Sequence, residues 1–455
     1  MTTRRGFIGT GFGAGAFAIA GCASRSVITG LGTPSNTVRV AMMGCNNKGR
    51  GIWVMRAALQ CPGVVVTAVI DVDRRVLEFA KKDAEEKNPQ HESVKTFEDV
   101  RKALEWGQFD ALIIAAPDHW HAWAAWAAMK AGKAVYVEKP CSFCPAEGEI
   151  LVETQRKTGM VFQMGSQRRS STITPKAIQA IRDGAIGEPR WAKCWYMTDR
   201  GPIGKGNKVA VPEWLNWDLW QGPAPRTDYQ DNVVHYNWHW FRRWGTGESG
   251  NNATHFLDLA RWALDVVYPE RTVSAGGRLF YEGDDWEWYD SQNMSFEFPN
   301  RKFITWEGHS ERDIKSTEYM GYWTGCMVHG LEGAMFLNPT DGATLFDKDG
   351  KVVKQWDWQE DLSEQKVDGS DTQNPSRHLL LQHMDNFITC VREHNVNTNA
   401  PAAVGHASTL MTELANMAQI TGETIRTDPR TGRLAKGSAG ANLWAREYEK
   451  GWEMA

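Results

Sequence analysis

Four short apolar runs dominate the first third of the chain: Val38–Met43, Val64–Ile70, residues 111–115 and Ala134–Val137. Each is too short for a buried helix and too continuous for a strand with one wet face, so each reads as a strand covered on both sides. Segments with helical spacing separate them, including residues 75–86. Strands and helices in that alternation build a parallel sheet, and right-handed crossovers wind it in both directions. The expected fold class is α/β with a doubly wound sheet, in which ligands bind at the carboxyl ends of the strands.

The residues at those ends carry the chemistry. The first run passes directly into Gly44-Cys45-Asn46-Asn47-Lys48-Gly49, which opens an apolar helix through Trp53, Val54 and Leu59. This is the glycine-rich dinucleotide turn with asparagine in place of the second glycine, and asparagine tolerates positive φ better than most residues. The second run ends in Asp71, about twenty residues beyond Gly49, where a carboxylate binds both ribose hydroxyls of the adenosine half and repels a 2′-phosphate. NAD is therefore expected over NADP, although Arg74 and Arg75 keep NADP open. The third run ends at Ala116-Pro117-Asp118-His119-Trp120-His121, before a helix closed by Gly132. The two histidines suit a helix cap or a nicotinamide pocket, and no metal is expected because no carboxylate cluster accompanies them. The fourth run ends in Glu138-Lys139-Pro140. Pro140 removes a backbone donor and stops the strand. A lysine partly desolvated at that edge has its pKa lowered enough to exchange a proton with a substrate hydroxyl. The plain alternative is a solvated turn.

Gly44-x-Asn46-x-x-Gly49, Asp71, Pro117-Asp118-His119-Trp120-His121 and Glu138-Lys139-Pro140 stand in the order and spacing of the Gfo/Idh/MocA family of nicotinamide-dependent oxidoreductases. The chain resembles that family from near Val38 to its last helices. The resemblance implies an N-terminal Rossmann domain, then an α+β domain with a large open antiparallel sheet, one face of which covers the nicotinamide. It places Lys139 nearest the reacting carbon and Glu138 at the cofactor. The implied NAD site comprises Gly44, Asn46, Asn47, Gly49, Asp71, Pro117, His119, His121, Glu138, Lys139 and Gln167. The expected borders are a signal and linker over residues 1–35, the Rossmann domain over 36–160 and the substrate domain over 161–455.

After helical spacing near residues 146–158, Met164-Gly165-Ser166-Gln167-Arg168-Arg169 looks like the family's crossing into its second domain, with Gln167 and Arg168 facing the pocket. Strand-like alternation follows at residues 191–197, 278–281, 294–298 and 303–306, and Asp347-Lys348-Asp349-Gly350 reads as a hairpin turn. Helices are expected near residues 378–391 and 406–420. Trp444 and Trp452 mark a tail, for which an arm exchanged between subunits is one reading.

The most informative stretch of this half is His235-Tyr236-Asn237-Trp238-His239-Trp240-Phe241 and the glycine-rich run from Gly245 to Asp258. Glycines lead into an apolar helix, so Asn251 and His255, four apart, are expected on its first-turn face. Family members often carry Asp and His at these positions, working with the lysine on the substrate hydroxyl. Asn251 departs from that pattern. An amide cannot accept a proton, so the relay is expected through Lys139 and His255, with Asn251 orienting and its effect on activity open. Arg168, Tyr236, Trp238, His239 and His255, with Trp240, are the candidates for substrate contact, against a core role for the aromatics. Asp258 reads as structural.

At 455 residues the chain is too long for one core. A formal net charge of −4 with no basic tract argues against nucleic acid as a partner. The 22 tryptophans suit a site offering flat apolar faces with a polar edge, as sugar rings require. Seven cysteines besides Cys22 are odd in number and scattered, which is no disulfide framework. Cys141-Ser142-Phe143-Cys144 is not expected to be redox-active or to bind zinc.

Residues near the start do not read as fold. Thr3-Arg4-Arg5-Gly6-Phe7-Ile8 and the weakly apolar stretch to Ala20 resemble a twin-arginine export signal, and Ile19-Ala20-Gly21-Cys22 resembles a lipoprotein cleavage box with a lipid anchor at Cys22. The expected location is periplasmic or otherwise extracytoplasmic. A chain exported already folded carries NAD out with it, so the cofactor is expected to be tightly bound and regenerated in place. The expected activity is hydride transfer between a hydroxyl carbon of a sugar or glycoside, with C3 attractive, and bound NAD(H). The expected partner is a small-molecule carbohydrate, and the expected assembly a homo-oligomer. The alternatives are an NAD-dependent glycosidase working by oxidation, elimination, hydration and reduction, against which Lys139 argues, and a non-catalytic sugar-binding lipoprotein.

Overall fold

The computed structural model describes residues 36–46, 49–311, 319–357 and 375–454. The expected export signal, Cys22 and Asn47 lie outside them. Six strands, β1 (Val38–Met43), β2 (Val64–Ile70), β3 (Lys95–Phe97), β4 (Ala111–Ile114), β5 (Ala134–Val137) and β6 (Phe162–Met164), form one parallel sheet in the order β3-β2-β1-β4-β5-β6. The four apolar runs are its four central strands, continuous in hydrophobicity because both faces are covered. Helices α1 (Arg50–Gln60), α2 (Arg74–Lys87) and the later helix Pro375–Glu393 pack on one face. Helices α3 (Val100–Trp106), α4 (Asp118–Lys130) and α5 (Pro145–Thr158) pack on the other. Strand β3 was not foreseen, because it is three residues long with two of them exposed and carries no apolar run.

The second sheet has nine strands in the order β14-β13-β12-β11-β7-β10-β9-β8-β15. They are β7 (Pro189–Met197), β8 (Arg271–Gly277), β9 (Ser291–Phe298), β10 (Lys302–His309), β11 (Thr324–Gly330), β12 (Gly333–Leu337), β13 (Gly342–Asp347), β14 (Val352–Asp357) and β15 (Ile425–Arg426). Neighbours run antiparallel except β7 and β10, which pair in parallel with Trp191 opposite Phe303. Helix α6 (Thr174–Arg182) and the helix over residues 254–263 bury apolar faces against this sheet. The expected turn at residues 347–350 joins β13 to β14. Residues 278–281 form a loop instead of the expected strand. Their backbone donors are taken by one buried carboxylate: Leu279, Phe280 and Tyr281 N–H all donate to Asp290 at 3.0–3.1 Å. With its donors satisfied by a side chain, the segment has no need of a ladder.

Between β7 and residue 249 the chain leaves the second sheet and lies against the Rossmann domain, carrying the short helix α7 (Trp217–Gln221) and a tryptophan cluster of Trp217, Trp220 and Trp244. The C-terminal tail folds back on its own chain. Trp452 packs edge-on against Trp120 and Trp123 of α4 at 5.2 and 4.8 Å, and Arg446 pairs with the buried Glu147 at 2.7 Å. No exchange between subunits is needed to bury Trp452. The seven described cysteines are buried and unpaired.

Candidate active site

A crevice of about 1000 Å³ opens where the carboxyl ends of β1, β2, β4 and β5 meet the second domain. Its floor is the turn after β1. Gly44 has φ +79°, and a Cβ there would stand 2.6 Å from the backbone of Ala115 and Ala116, so only glycine lets the chain pass. Helix packs closely on strand at Gly51, where a Cβ would overlap the Gly44 carbonyl oxygen. A Cβ on Gly49 meets only Asn46 at ordinary contact. Gly49 begins α1 without a capping side chain, which leaves first-turn N–H groups for an anion. Asn46 lines the same wall.

Asp71 closes β2 with its carboxylate fixed by backbone donors, Cys45 N–H at 2.8 Å and Asp73 N–H at 3.0 Å. Burial pushes its pKa up, opposed by those two bonds. Glu138 is buried and accepts from Arg50 Nε at 3.1 Å, Tyr136 Oη at 3.2 Å and Gln167 Nε2 at 3.2 Å. Burial works against its ionisation, yet Arg50 and then Lys139 outweigh that and hold its pKa below the ordinary value. His121 ties two turns together, with Nδ1 2.6 Å from the Pro140 oxygen and Nε2 2.7 Å from the Ala116 oxygen. Pro117 and Asp118 complete this wall, and the Asp118 carboxylate accepts from Thr246 N–H at 3.1 Å and Thr246 Oγ1 at 2.6 Å.

Lys139 reaches across the crevice. Its ammonium donates to the backbone oxygen of Asn251 and to Asn251 Oδ1 at 3.2 Å. Burial lowers its pKa, and Glu138 and Asp118 resist the shift. Asn251 does not sit on the first turn of an α-helix as expected. A π-helical turn, Ser249–Ala253, leads into α8 (Thr254–Ala263), so the lead-in is wider than the 3.6-residue spacing assumed. His255 lines the same crevice. Burial first, then the positive charges of Lys139 and Arg168, drives its pKa well below 6.5, so it stands as a neutral imidazole. Tyr236, Trp238 and His239 also line the wall. Tyr236 is 49% exposed and its hydroxyl accepts from Arg200 Nη1 at 2.9 Å, while Trp238 stacks on His239 at 3.6 Å.

Four residues offered as ligand contacts are elsewhere. His119 is fully buried behind the wall, its ring nitrogens 3.0 and 3.3 Å from the carbonyls of Trp220 and Trp244, and burial lowers its pKa to about 3. Gln167 stands behind Glu138 and props its carboxylate. Arg168 turns under the second domain, donating to the Pro339 oxygen at 3.3 Å with its guanidinium 4.5 Å over Phe256. Trp240, buried against Trp286 at 4.0 Å, is core. Arg50, Asp118, His235 and Trp220 line the crevice without having been foreseen as ligand contacts. Arg50 directly follows the last glycine of the dinucleotide turn, but the partner that defines its role, Glu138, is 88 residues away and is brought up only by the fold.

Two family models match this architecture. That of the Gfo/Idh/MocA oxidoreductase family, NAD-binding Rossmann fold, covers residues 38–166, and that of its C-terminal alpha/beta domain covers residues 208–419. The chain belongs to this family. Among curated proteins it is 27% identical over 207 residues to a glycosyl hydrolase family 109 protein of Saccharopolyspora erythraea, covering 43% of this chain and 44% of that one. It is 33% identical over 104 residues to scyllo-inositol 2-dehydrogenase (NAD(+)) of Bacillus subtilis, covering 23% and 30%. The chain thus spans less than half the length of these relatives. The structure of levoglucosan dehydrogenase in complex with NADH and levoglucosan superposes with a TM-score of 0.63 at 16% identity, over 86% of this chain and 99% of that one, which shows the shared fold.

The family's cofactor fits the residues present. Gly44, Asn46 and the uncapped start of α1 would hold a pyrophosphate, and Asp71 would hold a ribose. NAD, when bound, supplies the acceptor or donor of a hydride. The chain's own contribution at the other end is an amine with a lowered pKa, oriented by an amide and faced by a neutral imidazole.

Proposed function

We propose that the protein is an NAD-dependent oxidoreductase acting on a CH–OH carbon of a carbohydrate or polyol. The observation that carries this reading is Lys139, at the end of β5 in the crevice floored by Gly44, held across it by Asn251 of the second domain. In the oxidising direction the carbinol carbon gives up a hydride, and its hydroxyl proton passes to the neutral amine of Lys139. Asn251 orients that amine. His255, uncharged, serves as a hydrogen-bond partner for the substrate hydroxyl and not as a second cation. Tyr236 and Trp238 offer apolar faces beside the reacting position, the surroundings a sugar ring takes.

NAD is favoured over NADP because the arginines that kept NADP open are engaged with carboxylates, Arg74 with Glu98 at 3.0 Å and Arg75 with Asp73 at 2.8 Å. We extend the proposal to a cofactor held through turnover, an exported homo-oligomer anchored at Cys22, and a glycoside oxidised at C3, with the hydride returned to a second carbonyl compound. The relative in glycosyl hydrolase family 109 motivates a second reading, in which the C3 ketone acidifies the neighbouring C–H and the glycosidic bond is eliminated before reduction. Screening glycosides, inositols and anhydrosugars against NAD-loaded protein tests both. Growth of reduced-nicotinamide absorbance in the near ultraviolet supports the oxidoreductase. Release of free sugar with no net redox change decides for the glycosidase, and silence with every carbohydrate overturns both.

A further inference from the structure

The adenosine end of the crevice has a cover of its own. Residues 203–244 close over the end of β2 and are joined to it through the main chain, Arg74 N–H donating to the Trp214 oxygen at 3.0 Å and Asn216 N–H to the Val72 oxygen at 2.9 Å. Side chains repeat the connection. Asp73, wholly buried, lies 3.0 Å from His235 Nε2 and 2.8 Å from Arg75 Nη2. The Arg75 guanidinium sits 3.5 Å over the ring of Trp214, which stacks with His235 at 5.8 Å.

Two further anchors hold the same segment. At the start of α4, His119 Nε2 and Trp120 Nε1 lie 3.0 and 2.9 Å from the Trp220 oxygen, and Gly222 leaves the only room for the Trp120 ring, which any Cβ there would strike. From the C-terminal tail, Glu449 N–H donates to the Pro223 oxygen at 3.0 Å, and Glu449 Oε2 accepts from Arg226 N–H at 3.1 Å. Arg446 of the tail donates to the His119 oxygen at 2.7 Å. Beneath the segment, Leu219 and Trp220 face the crevice together with Val72 and Val100. An apolar slot of that kind takes an adenine ring.

A dinucleotide under this cover leaves only if the cover lifts, and lifting breaks main-chain bonds, the contact of His235 with the buried Asp73 carboxylate and the seat of the Arg75 guanidinium on Trp214 together. We propose that residues 203–244 form a fixed roof that keeps NAD resident through turnover, latched by His235 on Asp73 and by Glu449 of the C-terminal tail. The reaction end differs, since Tyr236 at its mouth is half exposed and a substrate exchanges there with the roof shut. The inference rests on the reading of this crevice as an NAD site and supplies the device for the tight cofactor proposed above.

The test is a chase. The full chain is loaded with isotopically labelled NAD, desalted and mixed with excess unlabelled NAD, and the label left on the protein is counted over time. Wild type is expected to hold its label across many turnovers, and His235→Ala and Glu449→Ala to lose it about tenfold faster or more, since weakened contacts appear mainly in the off-rate. Circular dichroism on the same samples reports folding, and Glu449→Ala carries the test alone if His235→Ala unfolds. Rapid exchange by wild type, or equal rates in wild type and a folded variant, overturns the roof. Label that never binds protein first stripped of its own nucleotide, with no NAD released in the stripping, overturns the NAD reading itself. Label retained by a protein that no carbohydrate reduces leaves the roof standing and removes only the substrate class.

Discussion

At the adenosine end of the crevice, Arg75 and His235 share Asp73, Arg74 is taken by Glu98, and Asp71 is fixed by two backbone N–H groups. At the reaction end, Lys139 has a carbonyl and an amide for hydrogen-bond partners, and Glu138 beside it is bonded to Arg50. The adenosine end fixes each of its carboxylates with donors set by the fold, as a holding site should. The other leaves an amine whose proton is loosely held, as a site that moves protons should. The two ends therefore answer to different measurements, cofactor retention for one and rate for the other.

Lys139→Ala gives the largest separation. It is expected to slow hydride transfer by roughly 10²–10⁴-fold, the usual contribution of a positioned acid or base, while labelled NAD stays bound as in wild type. Single-turnover absorbance and the chase read the two quantities on one sample. Loss of NAD from this variant would break the comparison, because it would make Lys139 part of the holding site.

Gly44→Ala should act at the other end. An alanine at φ +79° is strained, and its Cβ would meet the backbone of Ala115 and Ala116 at 2.6 Å. The turn has to shift, at about 2 kcal/mol or more of stability, with NAD retention lost before rate on any cofactor that remains. Denaturant melts and the chase check both parts. Undiminished stability would show that the turn is not as tightly set as its contacts require.

How far the two ends can be read from the sequence differs for a physical reason. The central strands, the dinucleotide turn, Asp71 and Lys139 are local signals, visible in an apolar run and the residues that end it. His235, Arg50 and Gly51 are not. Their roles depend on Asp73, Glu138 and the Gly44 carbonyl, each brought up only by the fold. His119 misled because two tryptophan carbonyls more than a hundred residues away claim its ring. Residues 278–281 misled because alternation there is answered by Asp290 and not by a neighbouring strand. Glycines before α8 signalled a helix start correctly, but their spacing could not reveal a π turn, which tertiary contacts select.

The smallest expected effect sharpens the comparison most. Asn251→Asp places a carboxylate oxygen where Oδ1 now stands, 3.2 Å from Lys139 Nζ. Burial now lowers the lysine's pKa from 10.5, and an opposite charge at that distance favours the ammonium and raises it again. Oxidation needs the neutral amine, so its rate climbs as pH rises through the Lys139 pKa. The variant's rising limb should therefore lie at higher pH, by about one unit, equivalent to roughly 1.4 kcal/mol. The pH profile of the oxidation rate measures it, and Asp71→Asn at the adenosine end should leave that limb in place. A limb displaced to lower pH would mean that the new carboxylate has taken the proton in place of the amine. An unmoved limb would mean that the titrating group is not Lys139, and the division between a holding end and a proton-moving end would have to be redrawn.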